Sequence, residues 1–235
     1  MGTKRIIVIG GSAAGPKAAS KARRMDEDAE ITIFQKASDL SMASCGYPYY
    51  VGGFFDDRSQ LLCSPAGVVR DAKFFWNAKK INTRVLTEVT RIDRKQKMVE
   101  FTDLTTGKAG TAAYDKLVIA TGSNARKPPV PGVELAGITT LQSLSDADYL
   151  RKIKDEGVIK KAVVIGGGLI GIETLEALHL AGIHITLIEL LPQLLTFLDK
   201  HMVRLVEKYV QTKVNVILQN GVASFLGENG VLKAV

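Results

Sequence analysis

Residues able to do chemistry sit in three places along this 235-residue sequence. The first is Cys45, within Ser41-Met42-Ala43-Ser44-Cys45-Gly46-Tyr47-Pro48-Tyr49-Tyr50-Val51-Gly52-Gly53. A thiolate exchanges with disulfides and persulfides, and it is favoured at a helix N-terminus or beside cations. A short helix is expected at 48–51, just after this cysteine. The other two places are glycine-rich runs, Gly10-Gly11-Ser12-Ala13-Ala14-Gly15 and Gly166-Gly167-Gly168-Leu169-Ile170-Gly171. Where such a run joins a strand to a helix, the backbone can approach a pyrophosphate and the helix start offers it N–H groups and partial positive charge. The one further cysteine, Cys63, lies in Leu61-Leu62-Cys63-Ser64-Pro65 without a motif and reads as packing. Two cysteines so placed make no C-x-x-C pair, disulfide framework or zinc ligand set, so no metal is expected.

The elements that must position these groups form an internal echo. Residues 5–35 read strand, glycine turn, helix to about Met25, strand. Residues 161–189 repeat the plan, with the helix running to about Ala181. One such turn is weak evidence of a dinucleotide site, whereas two in the right context are strong. In the first, Ser12 replaces the middle glycine, and Gln35 stands where an acid usually grips ribose hydroxyls; its amide can still bond a diol, without charge assistance. The second is complete. Glu189 ends its following strand, where a carboxylate accepts the ribose 2′-OH and repels a 2′-phosphate. Leu190-Leu191-Pro192-Gln193 brings no cation to offset that repulsion, so the site reads as one for NADH.

Between the two repeats, strands are expected at 84–92, 98–102 and 114–120 as a β-meander. Lys127-Pro128-Pro129-Val130-Pro131-Gly132 reads as linker, because proline continues neither a helix nor a central strand. The expected plan is α/β with two Rossmann-like dinucleotide-binding domains: residues 1–125, a linker region 126–155, and 156–235. The tail suggests a strand at 214–218 and a hairpin around Asn229-Gly230. The second domain is expected to be incomplete at its C-terminal end.

Composition narrows the function classes. The net charge is +7, but the 31 Lys and Arg residues are spread along the chain without interleaved aromatics. Nucleic acid is therefore not expected as a partner, and a basic face for phosphorylated small molecules is the better reading. No run approaches the ~18 apolar residues of a membrane span, so no membrane partner is expected. Lys4-Arg5 leads straight into the strand-like Ile6-Ile7-Val8-Ile9 rather than into a signal peptide, which makes the cytoplasm the expected location.

The Ser41–Gly53 segment resembles the active-site segment of the single-cysteine branch of the FAD-dependent pyridine nucleotide-disulfide oxidoreductases. That branch holds coenzyme A-disulfide reductases, NADH-dependent persulfide reductases, NADH oxidases and NADH peroxidases. The resemblance runs along essentially the whole chain and includes Ala120-Thr121-Gly122, which is similar to the flavin-domain A-T-G motif. It implies FAD at Gly10–Gly15, Gln35, Lys36, Val89 and Ala120–Gly122, and NADH at Gly166–Gly171 and Glu189. It also implies that Cys45 is catalytic, its sulfur receiving electrons from NADH by way of the flavin. With no second active-site cysteine, the oxidised state would be a mixed disulfide, a persulfide or a sulfenic acid.

Within the branch, Ala13 stands where oxidases and peroxidases resemble one another in carrying a histidine, and a methyl group moves no proton. That favours a coenzyme A disulfide or persulfide as substrate. Carried across by resemblance, the coenzyme A contacts fall on Lys17, Lys21, Arg24, Ser41, Ser44 and Lys79. Lys17, Lys21 and Ser44 depart from the family's residue types, although lysines suit phosphates. On a plain reading, Lys17, Lys21 and Arg24 are the wet side of an amphipathic helix. Rival readings are an NADH oxidase or peroxidase, and a nucleotide-binding fragment without catalysis. Chains of this family are longer and homodimeric, with a later Gly-Asp flavin motif and a dimerisation domain. This chain is thus expected to be an N-terminal part that is inactive alone.

Overall fold

The computed structural model describes residues 2–235. Along the chain run β1 (Arg5–Ile9), α1 (Ala14–Met25), β2 (Glu30–Phe34), α2 (Tyr47–Gly52), α3 (Ala72–Lys79), β3 (Ile81–Arg84), β4 (Thr87–Asp93), β5 (Met98–Asp103), β6 (Ala109–Ala113) and β7 (Lys116–Ile119). There follow α4 (Leu144–Asp155), β8 (Lys161–Ile165), α5 (Leu169–Leu180), β9 (His184–Ile188), α6 (Lys200–Gln211), β10 (Asn215–Ile217), β11 (Leu226–Glu228) and β12 (Val231–Ala234). The class is α/β. The chain divides into two compact units, the first made of residues through Ala43 with Asp57–Ser123, the second of Ser44–Asp56 with Asn124–Val235.

The first unit is built in three layers. A parallel sheet in the order β3-β2-β1-β7 forms the middle. β1 is apolar at four consecutive positions and buried at all four, as a central parallel strand covered on both faces should be. One face, with Ile6, Val8, Ile31 and Ile33, packs with Ala19 of α1 and Phe75 of α3. The opposite face, with Ile7, Ile9 and Phe34, packs against Val99 and Phe101 of an antiparallel sheet ordered β4-β5-β6. Truncating a side chain as fully buried as Ile33 costs about 2–5 kcal/mol.

The antiparallel sheet differs from its sequence expectation in two ways. The strand expected over 84–92 is broken at Leu86, whose φ is +49°, so Arg84 ends β3 and a new strand begins at Thr87. The third meander strand is Ala109–Ala113, not 114–120. The Asp103 carboxylate accepts the Thr105 and Thr106 N–H groups at 2.9 Å each and reverses the chain early. β7 then joins the parallel sheet, with Val118 opposite Val8.

The second unit carries a parallel sheet ordered β10-β9-β8. Helix α5 packs on β8 and β9, and α6 on β10. Leu187, Leu194 and Val203 are fully buried. The segment expected as linker, 126–155, ends in helix α4. Ser143 and Asp146 close a capping box there, each accepting the other's backbone N–H at 3.1 Å. The expected hairpin is present as β11 and β12, with Asn229 and Gly230 at φ +51° and +77°. Both residues at positive φ is what a two-residue type I′ turn requires.

Candidate functional site

The two glycine turns share one construction. A Cβ on Gly15 would lie 1.8 Å from the carbonyl oxygen of Gly10, and one on Gly171 would lie 1.9 Å from that of Gly166. Only glycine lets helix and strand approach so closely. In each turn a side chain at the end of the next strand holds the second glycine. Gly11 N–H donates to Gln35 Oε1 at 2.8 Å, and Gly167 N–H donates to Glu189 Oε2 at 2.6 Å.

In the first unit, the turn is joined by the segment Ala120-Thr121-Gly122. Ala120 N–H donates to Ile9 O at 2.8 Å, and its own carbonyl lies 2.1 Å from where a Gly10 Cβ would stand. Helix α1 starts at Ala14 behind Ala13, which offers no side-chain cap. Its first N–H groups therefore have no side-chain acceptor at the cap and suit a phosphate. Helices α3 and α4, by contrast, are capped by Asp71 and Ser143.

Gln35 is 7% exposed, and its Nε2 also donates to Asp39 O at 3.2 Å. One amide hydrogen and one lone pair remain for a ribose, which makes Gln35 first a strut of the turn. Lys36 is exposed and pairs with Glu88 at 2.8 Å, while Val89 is half-buried on β4 opposite Phe101.

In the second unit, α5 starts behind Gly168, again without a side-chain cap. A cavity of about 1120 Å³ is lined by the Gly166–Gly171 turn, Glu189, Leu191, Arg126 and Thr140. This exceeds the ~300–1,000 Å³ usual for small-molecule sites and has room for an extended dinucleotide. The Glu189 carboxylate is held by two N–H groups, from Gly167 and, at 2.8 Å to Oε1, from Leu191. Its remaining lone pairs can accept ribose hydroxyls.

Cys45 is exposed in a 3₁₀ turn, Ser44–Gly46, directly before α2. It belongs to the second unit, as does Ser44. Lys17, Lys21 and Arg24 form one exposed stripe on α1 at helical spacing, in the first unit. Lys79 adjoins the end of that helix, since its carbonyl accepts Arg23 Nε at 3.0 Å. Ser41, with φ +56°, donates its N–H to Gly11 O at 2.8 Å and so ties the start of the cysteine segment to the first turn. Cys63 is half-buried in the first unit, with its carbonyl accepting Arg70 Nη2 at 2.8 Å.

Residues 4–235 match the family described as pyridine nucleotide-disulphide oxidoreductase. The chain belongs to that family. Over 199 residues it is 34% identical to a coenzyme A disulfide reductase of Staphylococcus haemolyticus, covering 85% of this chain and 43% of that protein. A NAD-dependent persulfide reductase from A. fulgidus superposes with a TM-score of 0.92 at 39% identity, covering 96% of this chain and 42% of that one. A water-forming NADH oxidase from Lactobacillus brevis, solved with NADH bound, gives a TM-score of 0.89 at 28% identity, covering 99% and 50%. The chain thus spans about half the length of the proteins it matches. Family membership brings with it FAD and a pyridine nucleotide as cofactors. No described helix is long and apolar enough to cross a membrane.

Proposed function

We propose that the complete protein carries two electrons from NADH through FAD to a disulfide or persulfide held at Cys45, with coenzyme A as the thiol of its substrate. Cys45 carries this reading: an exposed thiol on a turn that opens a buried short helix, in a chain with two glycine turns whose helices start without a side-chain cap. FAD sits at Gly10–Gly15 with Gln35 and Ala120–Gly122, and NADH at Gly166–Gly171 with Glu189. FAD, when bound, supplies the relay between a two-electron hydride donor and a thiol. The chain's own residues do the rest. The uncapped helix starts of α1 and α5 bind the pyrophosphates, Glu189 orients the adenosine ribose, and the Cys45 sulfur attacks one sulfur of the substrate and releases the other as a thiol. The sum for a disulfide is RSSR + NADH + H⁺ → 2 RSH + NAD⁺, which balances.

Lys17, Lys21, Arg24 and Lys79 supply positive charge for coenzyme A phosphates, with Ser41 and Ser44 as polar partners. The reading carries with it a homodimer and a cytoplasmic location. Similarity to the Lactobacillus oxidase supports a second reading, reduction of oxygen. Against it, Ala13 holds the N-cap of α1 with a methyl that cannot transfer a proton. NADH consumption by the complete protein with coenzyme A disulfide, coenzyme A persulfide and oxygen tests both. Faster turnover with oxygen than with either sulfur substrate would overturn the first reading.

A further inference from the structure

Helix α2 spans six residues, too short to persist in water without tertiary support. Its support lies within the second unit. Tyr47, Pro48, Tyr50 and Val51 are buried, and α2 packs against both α4 and α5. One side chain makes several polar contacts to that segment. Arg151, on α4, donates Nη1 to Tyr50 O at 2.8 Å and to Phe55 O at 3.0 Å, and Nη2 to Asp56 at 2.5 Å. Its Nε donates to Asp155 at 2.6 Å, and its guanidinium lies 5.4 Å from the centre of the Tyr50 ring. The side chain is only 14% exposed. One planar cation thus closes the 50–56 loop from both ends, a task for which an ammonium lacks the fork of donors.

We infer that Arg151 is a positioning residue for the Cys45 thiol, holding the 50–56 loop and through it α2 and the 3₁₀ turn that presents the sulfur. The inference rests on the reading of Cys45 as the redox thiol. A displaced sulfur loses attack geometry, and displacements of about 1 Å can cost up to ~10²-fold in rate. Arg151 touches neither glycine turn, so hydride delivery from NADH has no cause to change.

The test uses the complete FAD-loaded protein with Arg151→Met, Arg151→Lys and, as reference, Cys45→Ser. In Arg151→Met, kcat with coenzyme A disulfide should fall about tenfold while the rate of flavin reduction by NADH stays within about twofold. Arg151→Lys should recover only part of the loss. The ratio of Cys45 to Cys63 alkylation by iodoacetamide, read by mass spectrometry without any substrate, should shift about fivefold. An unchanged alkylation ratio overturns the inference, as does an equal fall of both half-reactions. If Cys45→Ser leaves disulfide turnover intact, the proposed reaction fails, and the alkylation ratio still decides whether Arg151 positions the thiol.

Discussion

Glu189 Oε2 accepts the N–H of Gly167 at 2.6 Å, as Gln35 Oε1 accepts that of Gly11 at 2.8 Å in the other turn. Chemistry separates the two positions. Glu189 is half-buried and followed in the chain by Leu190, Leu191, Pro192 and Gln193, so a 2′-phosphate placed beside its carboxylate would meet repulsion with no cation from that segment to offset it. NADH should be preferred to NADPH by at least about tenfold in kcat/KM, a difference of only ~1.4 kcal/mol. Glu189→Ala should narrow that preference. Equal kcat/KM values for the two nucleotides in the unaltered protein would show that Glu189 does not select.

Cys45→Ser in the complete protein should retain flavin and lose disulfide reduction by on the order of a thousandfold or more. Serine is nearly isosteric, so α2 keeps its packing, but a hydroxyl does not exchange with sulfur. Cys63→Ser should keep most of the activity, because Cys63 is half-buried and its carbonyl, not its sulfur, holds Arg70. The reverse pattern in steady-state assays would move the redox role to Cys63.

The strand–turn–helix plan was legible in the sequence because its constraint is local: a side chain at Gly15 or Gly171 would collide with the backbone five residues earlier. The short helix after Cys45 was legible from Pro48 near a helix start. Strand β6 was not, since Ala-Gly-Thr-Ala-Ala has little β preference and takes its place by pairing with β5. Helix α4 was hidden behind a proline-rich stretch, although Ser143 and Asp146 carried a capping signal at the right spacing. The pairing of Arg151 with Asp155 has a helical spacing the sequence shows, but the arginine's reach to the 50–56 loop left no sequence signal. Two of its acceptors are backbone carbonyls, one of them 101 residues away, and a carbonyl looks the same whatever its side chain.

Gly168 and Gly171 should separate binding from folding. An alanine Cβ at Gly168 meets nothing within 4 Å, and the residue's φ of −78° suits any side chain. Gly168→Ala should fold normally and raise KM for NADH about tenfold, because the methyl occupies space the pyrophosphate needs. Gly171→Ala places a Cβ 1.9 Å from Gly166 O and should cost about 3 kcal/mol of stability. Thermal melts beside NADH titrations distinguish the two; a Gly168→Ala protein with unaltered KM would argue against pyrophosphate at this turn.

Asp115 ties the starts of the two strands that carry the first turn and the Ala120–Gly122 segment. It accepts Arg5 N–H at 2.8 Å and the Arg5 guanidinium at 3.1 and 3.2 Å. The bond from the Arg5 side chain, then that from its backbone, lowers the Asp115 carboxyl to about 2 from an ordinary 3.8. A carboxyl whose folded value is depressed stabilises the fold above its unfolded value and loses that contribution as pH falls towards the folded one. The stability difference between the unaltered protein and Asp115→Asn should therefore be constant above about pH 5 and shrink from there towards pH 2. The pair is solvent-exposed, so the difference should also decline with added salt. Urea midpoints of both proteins between about pH 3 and 7, at low and high salt, provide the measurement. A difference that grows on acidification would mean that Asp115 is unfavourable to the fold as a carboxylate, and that the Arg5 bonds do not set its titration.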